Sequence, residues 1–326
     1  MILAGDIGGT RTRLVLGDAG GPLGDERIFS NVDFEGPEGV IRRFLDDAGN
    51  PRVLAAAFGA AGPVLEGRIK MTNLDWQLDA AALSEALGGA KVRLLNDLEA
   101  AAYGVIELPD AELRTIAMGT ALPRGNVAVI AAGTGLGETL VGWHEDTPVA
   151  LASEGGHADF APRDELDVAL YEWLARSSGH VSWEAVVSGP GIVRVYEFLR
   201  DSGREEEPPE LRRSLAIAKE PSMVVTSAGI AAEHLICVRA LEIFSRSYGA
   251  EAGNLALKGL TFGGIYVAGG IAARLLEGRW SDLFMEAFVA KGRKTDLLRR
   301  IPVRVVTGEA ALAGAAAVAR RMLPRT

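Results

Sequence analysis

Short apolar runs alternate with helical spacings along this chain. Met1 to Ala4 and Leu14 to Leu16 are apolar runs flanking Asp6-Ile7-Gly8-Gly9-Thr10, which predicts a hairpin over residues 1–17. Val53 to Phe58 and Val92 to Leu95 read as strands, and Asp79 to Leu87 and Leu98 to Ile106 as helices. Val127 to Ala132 and Thr139 to Trp143 predict a second hairpin around Gly133-Thr134-Gly135-Leu136-Gly137. Leu166, Leu170, Tyr171 and Leu174 share one face of a helix over Glu165 to Ala175. Ile192 to Leu199 and Ile230 to Phe244 read as further helices, and Gly203 to Pro209 as a solvated polar loop. A buried strand, Ile265 to Ala268, ends in Gly269-Gly270, and the chain closes with strand Val303 to Val306 and helix Glu309 to Met322. Strands alternating with helices indicate an α/β layer architecture. Leu108-Pro109-Asp110 reads as a crossing between domains, because Pro stops the helix. Residues 1–107 plus 303–326 are then a small α/β domain, and 108–302 a large α/β domain with helical insertions.

Composition narrows the partners. A chain of 326 residues with 48% hydrophobic and 24% charged residues can bury a large core. Its net charge of −9 argues against nucleic-acid and anionic-membrane partners, which need a basic face. No apolar run reaches the ~18 residues of a transmembrane helix, and no basic-then-apolar leader opens the chain, so a cytoplasmic location is expected. One cysteine, Cys237, excludes an intrachain disulfide and a cysteine-rich zinc site; its helical, apolar neighbours predict a buried structural thiol.

Candidate chemistry starts at the glycine turns. A strand ending in Asp6 and turning on Gly8-Gly9 offers backbone N–H groups to an anion, with a carboxylate beside it for the anion's metal ion. The same turn could simply close a hairpin. Its recurrence at Gly133 to Gly137, and the Gly269-Gly270 pair after a late strand, point to a nucleotide held between duplicated halves. Asn96-Asp97 stands where a strand gives way to a helix. It could cap that helix, or supply an ionised carboxylate that accepts a hydroxyl proton during phosphoryl transfer. Glu154-Gly155-Gly156-His157 sets a carboxylate and an imidazole three residues apart. A capped turn and a clamp for sugar hydroxyls both fit it. Glu184 and Ser188 stand near a glycine-rich loop, as a surface charge and a helix cap or as part of a site. Asn73 precedes Asp75-Trp76 as a turn residue or a substrate contact.

In this order, Asp6 to Thr10, Asn96-Asp97, Gly133 to Gly137, Glu154 to His157 with Asp159-Phe160-Ala161-Pro162, Ser188 to Gly191 and Phe262 to Ile271 resemble bacterial glucokinases. The resemblance is to their branch without a zinc motif, within the actin, hexokinase and heat-shock ATPase superfamily. It implies a two-domain actin-like ATPase (ribonuclease H-like) fold with a cleft between a small and a large domain, and a homodimer. It also implies ATP-dependent phosphorylation of D-glucose at the 6-hydroxyl, with Mg²⁺. Asp97 would be the general base. Asn96, Glu154, His157, Glu184 and Asn73 would join it in holding the sugar. Gly8, Gly9, Thr10, Thr134 and Gly135 would grip phosphate, Asp6 would serve Mg²⁺ through water, and Gly269-Gly270 would lie near the adenosine. Kinases of other hexoses (mannose, fructose, an N-acetylated amino sugar) and a non-catalytic sugar- or ATP-binding regulator are the alternatives. Arg11, where the family usually has Asn, and Glu138, where it usually has a small or apolar residue, both bear on phosphate geometry.

Overall fold

The computed structural model describes residues 1–71 and 74–324, so Asn73 lies outside the described residues. The chain divides into two units, one of Met1–Leu113, Pro148–Leu151 and Gly308–Thr326, the other of Arg114–Thr147 and Ala152–Thr307.

Unit 1 is built on a five-stranded sheet. β1 (Ile2–Ile7) and β2 (Arg11–Gly17) form the predicted hairpin, extended by β3 (Arg27–Ser30). α1 (Pro37–Asp47) leads to β4 (Ala55–Ala60), parallel to β1. Three short strands, β5 (Val64–Leu65), β6 (Arg68–Lys70) and β7 (Gln77–Asp79), make a small antiparallel sheet before α2 (Ala80–Ala86). β8 (Lys91–Asn96), parallel to β4, completes the order β3-β2-β1-β4-β8 and runs into α3 (Asp97–Gly104). Strands covered on both faces need apolar residues at consecutive positions, and β1 and β4 have them. Leu3, Ala56 and Phe58 join a core with Val40, Ile41 and Phe44 of α1. Ile2, Ala4, Ala55 and Ala57 join another with Ala100 and Tyr103 of α3.

β9 (Leu113–Ala117) carries the chain into unit 2. β10 (Val127–Ala132) and β11 (Leu136–His144) form the second predicted hairpin. β12 (Thr147–Leu151) belongs to unit 1 from Pro148 onward. Then come α4 (Glu165–Ala175), α5 (Trp183–Val186), α6 (Gly189–Asp201), α7 (Pro209–Ile217), α8 (Pro221–Ile230) and α9 (Leu235–Gly259). β13 (Gly264–Ala268), α10 (Gly270–Leu275), α11 (Arg279–Val289), α12 (Thr295–Leu298) and β14 (Val303–Val306) complete the unit. β10, β13 and β14 are parallel neighbours within the order β11-β10-β13-β14-β9. The core gathers on α9, where Phe244, Tyr248 and Phe284 of α11 meet ring to ring. Cys237 is buried there as expected, and burial pushes its thiol up to about 12.

The chain re-enters unit 1 in α13 (Ala310–Arg321), whose Leu312, Ala315 and Ala316 join the core of Ile2 and Ala4. α13 and α3 touch backbone to backbone. A Cβ on Gly104 would overlap the Ala310 carbonyl oxygen, and one on Gly314 the carbonyl oxygen of Ala100.

Three local expectations need correcting. The helix expected over Ile230 to Phe244 is broken. Ala232 is left-handed (φ 54°) and His234 is extended, so α8 and α9 meet at 98° and α9 then runs on to Gly259. Small and apolar residues through Tyr248, Ala252 and Ala256 sustain that extension. Val303 to Val306, grouped by sequence with the final helix, pairs with β13. A four-residue apolar run carries no mark of which sheet it joins. In the polar loop, the Glu207 side chain is 4% exposed, because Arg212, Arg200 and the Tyr196 hydroxyl converge on it. Among the described residues, no single helix is long and apolar enough to cross a membrane.

Candidate active site

In unit 1 the candidates sit at the carboxyl ends of parallel strands, where open α/β sheets bind ligands. The Gly8–Thr10 turn is braced from behind. Gly8 N–H donates to Arg11 O (2.9 Å), and Asn31, 3% exposed, donates to Gly8 O (2.8 Å) while accepting from the Thr12 hydroxyl (2.8 Å). Asp6 lies opposite Arg13 across the hairpin. Arg13 Nη1 pairs with both Glu26 and Glu309 at 2.9 Å. Burial, then the charges of Glu309 and Asp97, raise Asp6 to about 6, against the smaller pull of Arg13. Neither Asn31 nor Glu309 stands out in sequence, since each acts on residues far from it in the chain.

Asn96 and Asp97 occupy the β8–α3 junction. Asn96 is both cap and strut: its Oδ1 accepts from Leu98 N–H (2.9 Å) and its Nδ2 donates to Gly62 O (3.1 Å). Asp97 Oδ1 also accepts from Leu98 N–H (2.8 Å). Burial raises the pKa of Asp97, and backbone N–H bonds partly offset this. The cap reading is thus correct for both side chains, yet it leaves Asp97 a perturbed carboxylate at a helix N-terminus.

In unit 2 three glycine motifs converge. Gly133 N–H closes the hairpin on Gly135 O (2.8 Å), and Gly189 N–H donates to Gly133 O (2.7 Å). Ser188 caps α6 by accepting from Gly191 N–H (3.0 Å) and donates to Glu184 O (2.8 Å). Gly269 has φ 91° and approaches β10 so closely that a Cβ would lie 2.7 Å from Ala132 O. Gly133, Thr134, Gly189, Pro190, Gly270 and Arg274 line a cavity of about 750 Å³, completed by residues of the α7–α8 region such as Lys219 and Ser222. That is the size and shape of a small-molecule pocket.

Glu184 is not a free surface charge. Its Oε2 accepts from Leu136 N–H (2.8 Å), tying α5 to the glycine hairpin. Glu154 to His157 form one tight turn in which Gly155 N–H donates to the Ser153 hydroxyl (2.9 Å) and His157 N–H to Glu154 O (3.0 Å). The Glu154 and His157 side chains are exposed, while Gly155 and Gly156 lie against β11. Glu138 is 1% exposed and sits beneath that turn, not at the glycine tip of the hairpin. Among the described residues, no group of three His, Cys, Asp or Glu side chains is arranged to hold a metal ion.

The glucokinase family model matches residues 3–322. The chain is 36% identical to a glucokinase of Nostoc punctiforme, over 99% of each chain. It superposes on the crystal structure of a glucokinase from an Antarctic psychrotroph with a TM-score of 0.87 and 28% identity, covering 98% of each chain. The fold is also shared with a ROK family glucokinase from Streptomyces griseus, crystallised with glucose and AMPPNP (TM-score 0.62, 21% identity, 98% and 99% coverage). Motif order, two glycine hairpins on an actin-like ATPase fold and near full-length similarity have one common explanation, that the chain belongs to the glucokinase family.

Proposed function

We propose that this protein transfers the γ-phosphoryl group of ATP to the 6-hydroxyl of D-glucose, giving glucose 6-phosphate and ADP. Asp97 carries the reading. It is a solvent-accessible carboxylate at the N-terminus of α3, whose raised pKa makes it a stronger base than an ordinary Asp while the helix end favours its ionised form. Asp97 takes the hydroxyl proton as the oxygen attacks phosphorus, and the bond to the β-phosphate oxygen breaks.

Asn96 retains one amide N–H for a sugar hydroxyl after bonding Gly62. Glu154, His157 and the free oxygen of Glu184 accept or donate to the others. Gly8 to Thr10 and Thr134-Gly135 present backbone to phosphate, and the cavity beside Gly269-Gly270 receives the nucleoside. Mg²⁺ with the nucleotide would neutralise charge developing on the phosphate oxygens. The surroundings of Asp6 fit that ion: Glu309 and Asp97 leave the acids in excess, and one carboxylate suits a cation held chiefly by water and phosphate.

Asp97→Asn should lower kcat by about a thousandfold or more, the scale of losing a positioned base together with its charge. Glucose should still raise the melting temperature of the variant. Retention of most of kcat would refute the mechanism. A coupled assay of glucose, mannose and fructose with ATP, reading ADP release, separates glucose phosphorylation from other hexose kinases and from sugar binding without transfer.

A further inference from the structure

Glu138 is a buried acid that phosphoryl transfer leaves unused. It lies on β11 opposite Ile130 of β10, and its Oε1 is buried without a hydrogen-bond partner. Its other oxygen, Oε2, faces Gly155: a Cβ added there would collide with Glu138 Oε2, and one on Gly156 would collide with Leu136 O. The turn between Glu154 and His157 therefore rests directly on Leu136 to Glu138, and its height is set by what occupies the Glu138 position.

We propose that Glu138 is a positioning residue for this turn, a neutral carboxyl seated beneath Gly155 that holds Glu154 and His157 in place for the sugar. The inference rests on the reading of those two side chains as sugar ligands. The groups facing Glu138 support the neutral form. From α9 come Glu251, Lys258 and the Tyr248 phenol; β10 offers Ile130; the turn offers backbone, with its charged side chains exposed. Glu251 is fully buried too, but it has Asn254 Nδ2 at 2.7 Å and Lys258 Nζ at 3.4 Å. Burial raises Glu251 as well, but Asn254, Lys258 and Lys291 all favour its charge, whereas Glu138 Oε1 has no partner, so the proton is held more firmly on Glu138. Burial, then Glu251, accordingly raise Glu138 to about 8, against the pull of Lys258. Above that pH an unsolvated charge would press on the turn's backbone and displace it.

The experiment is the pH dependence of KM for glucose and for ATP between pH 7 and 9.5, in the wild type and in Glu138→Gln, which keeps the volume and cannot ionise. In the wild type, KM for glucose should rise roughly five- to tenfold over that interval while KM for ATP changes less than twofold. In Glu138→Gln the rise should fall below twofold. An unchanged rise in the variant overturns the inference. Should the variant not fold, calorimetry on the wild type replaces it. Glucose binding at pH 8.5 should take up protons, measured as a dependence of binding heat on buffer ionisation enthalpy, and no uptake overturns the inference. Glu154→Gln separates the two levels. If it leaves KM for glucose unchanged, the sugar-site reading fails and takes this one with it. If it raises KM while Glu138→Gln retains the wild-type pH profile, the positioning role alone fails.

Discussion

A proton on Glu138 also has a cost that folding equilibria read directly. An unfolded Glu ionises near 4.5, whereas the folded one keeps its proton to about 8. The folded state therefore binds the extra proton between those values. Stability from this group is fully present below about 4.5, falls by ~1.4 kcal/mol per pH unit above it, and levels off past 8. Glu138→Gln removes the slope. Its melting temperature relative to wild type should be higher at pH 8 than at pH 5 by scanning calorimetry, and an equal difference at both would contradict the buried proton. Ser188→Ala tests a simpler residue: losing the α6 cap should cost about 1 kcal/mol in denaturant unfolding. These residues show what the sequence could say. Asn96-Asp97 was legible because a strand-to-helix junction is local. The tie of Glu184 to the hairpin was not, because Leu136 lies 48 positions before it. Glu138 could be noticed as out of place, but its seat beneath Gly155 depends on a turn reached only through a strand and a connection.

At the scale of elements, the α3–α13 crossing is the tightest joint described. Gly104→Ala or Gly314→Ala would drive a methyl into a carbonyl oxygen of the facing helix, with backbone on both sides and no flexible tip to yield. Each should cost more than about 3 kcal/mol, at the severe end of single substitutions. Gly20→Ala, with nothing within 4 Å of its added Cβ, should stay within about 0.5 kcal/mol. Equal effects in urea unfolding would rule out the close approach. Both hairpins and α4 were legible, since apolar periodicity is a local signal. The α8–α9 break was not, because Ala232 is left-handed without being Gly or Asn, the residues that usually announce that conformation. Nor was the neighbour of β14, since sheet membership is decided by pairing across distant segments.

Over the whole molecule, unit 1 is assembled from pieces far apart in the chain. β1 and β4 need α13 on one face, and that helix follows them after all of unit 2. Ending the chain at Thr307 should leave Ile2, Ala4, Ala55 and Ala57 without much of their cover. The expected result is aggregation or loss of the far-ultraviolet helical signal expected of unit 1, and a soluble, cooperatively melting product would contradict it. The family and the class of fold were legible at this scale, because motif order survives even where each motif alone is ambiguous. The α13 arrangement also dictates a timetable. On the ribosome, the segment bearing Asp97 emerges early, but its sheet waits for a helix synthesised roughly 200 residues later. At ~5–20 residues per second that interval is on the order of ten to forty seconds. Throughout it the nascent amino-terminal third presents an unfinished apolar face, a natural client for a holding chaperone. A broken message would yield chains that carry Asp97 but never complete the unit around it.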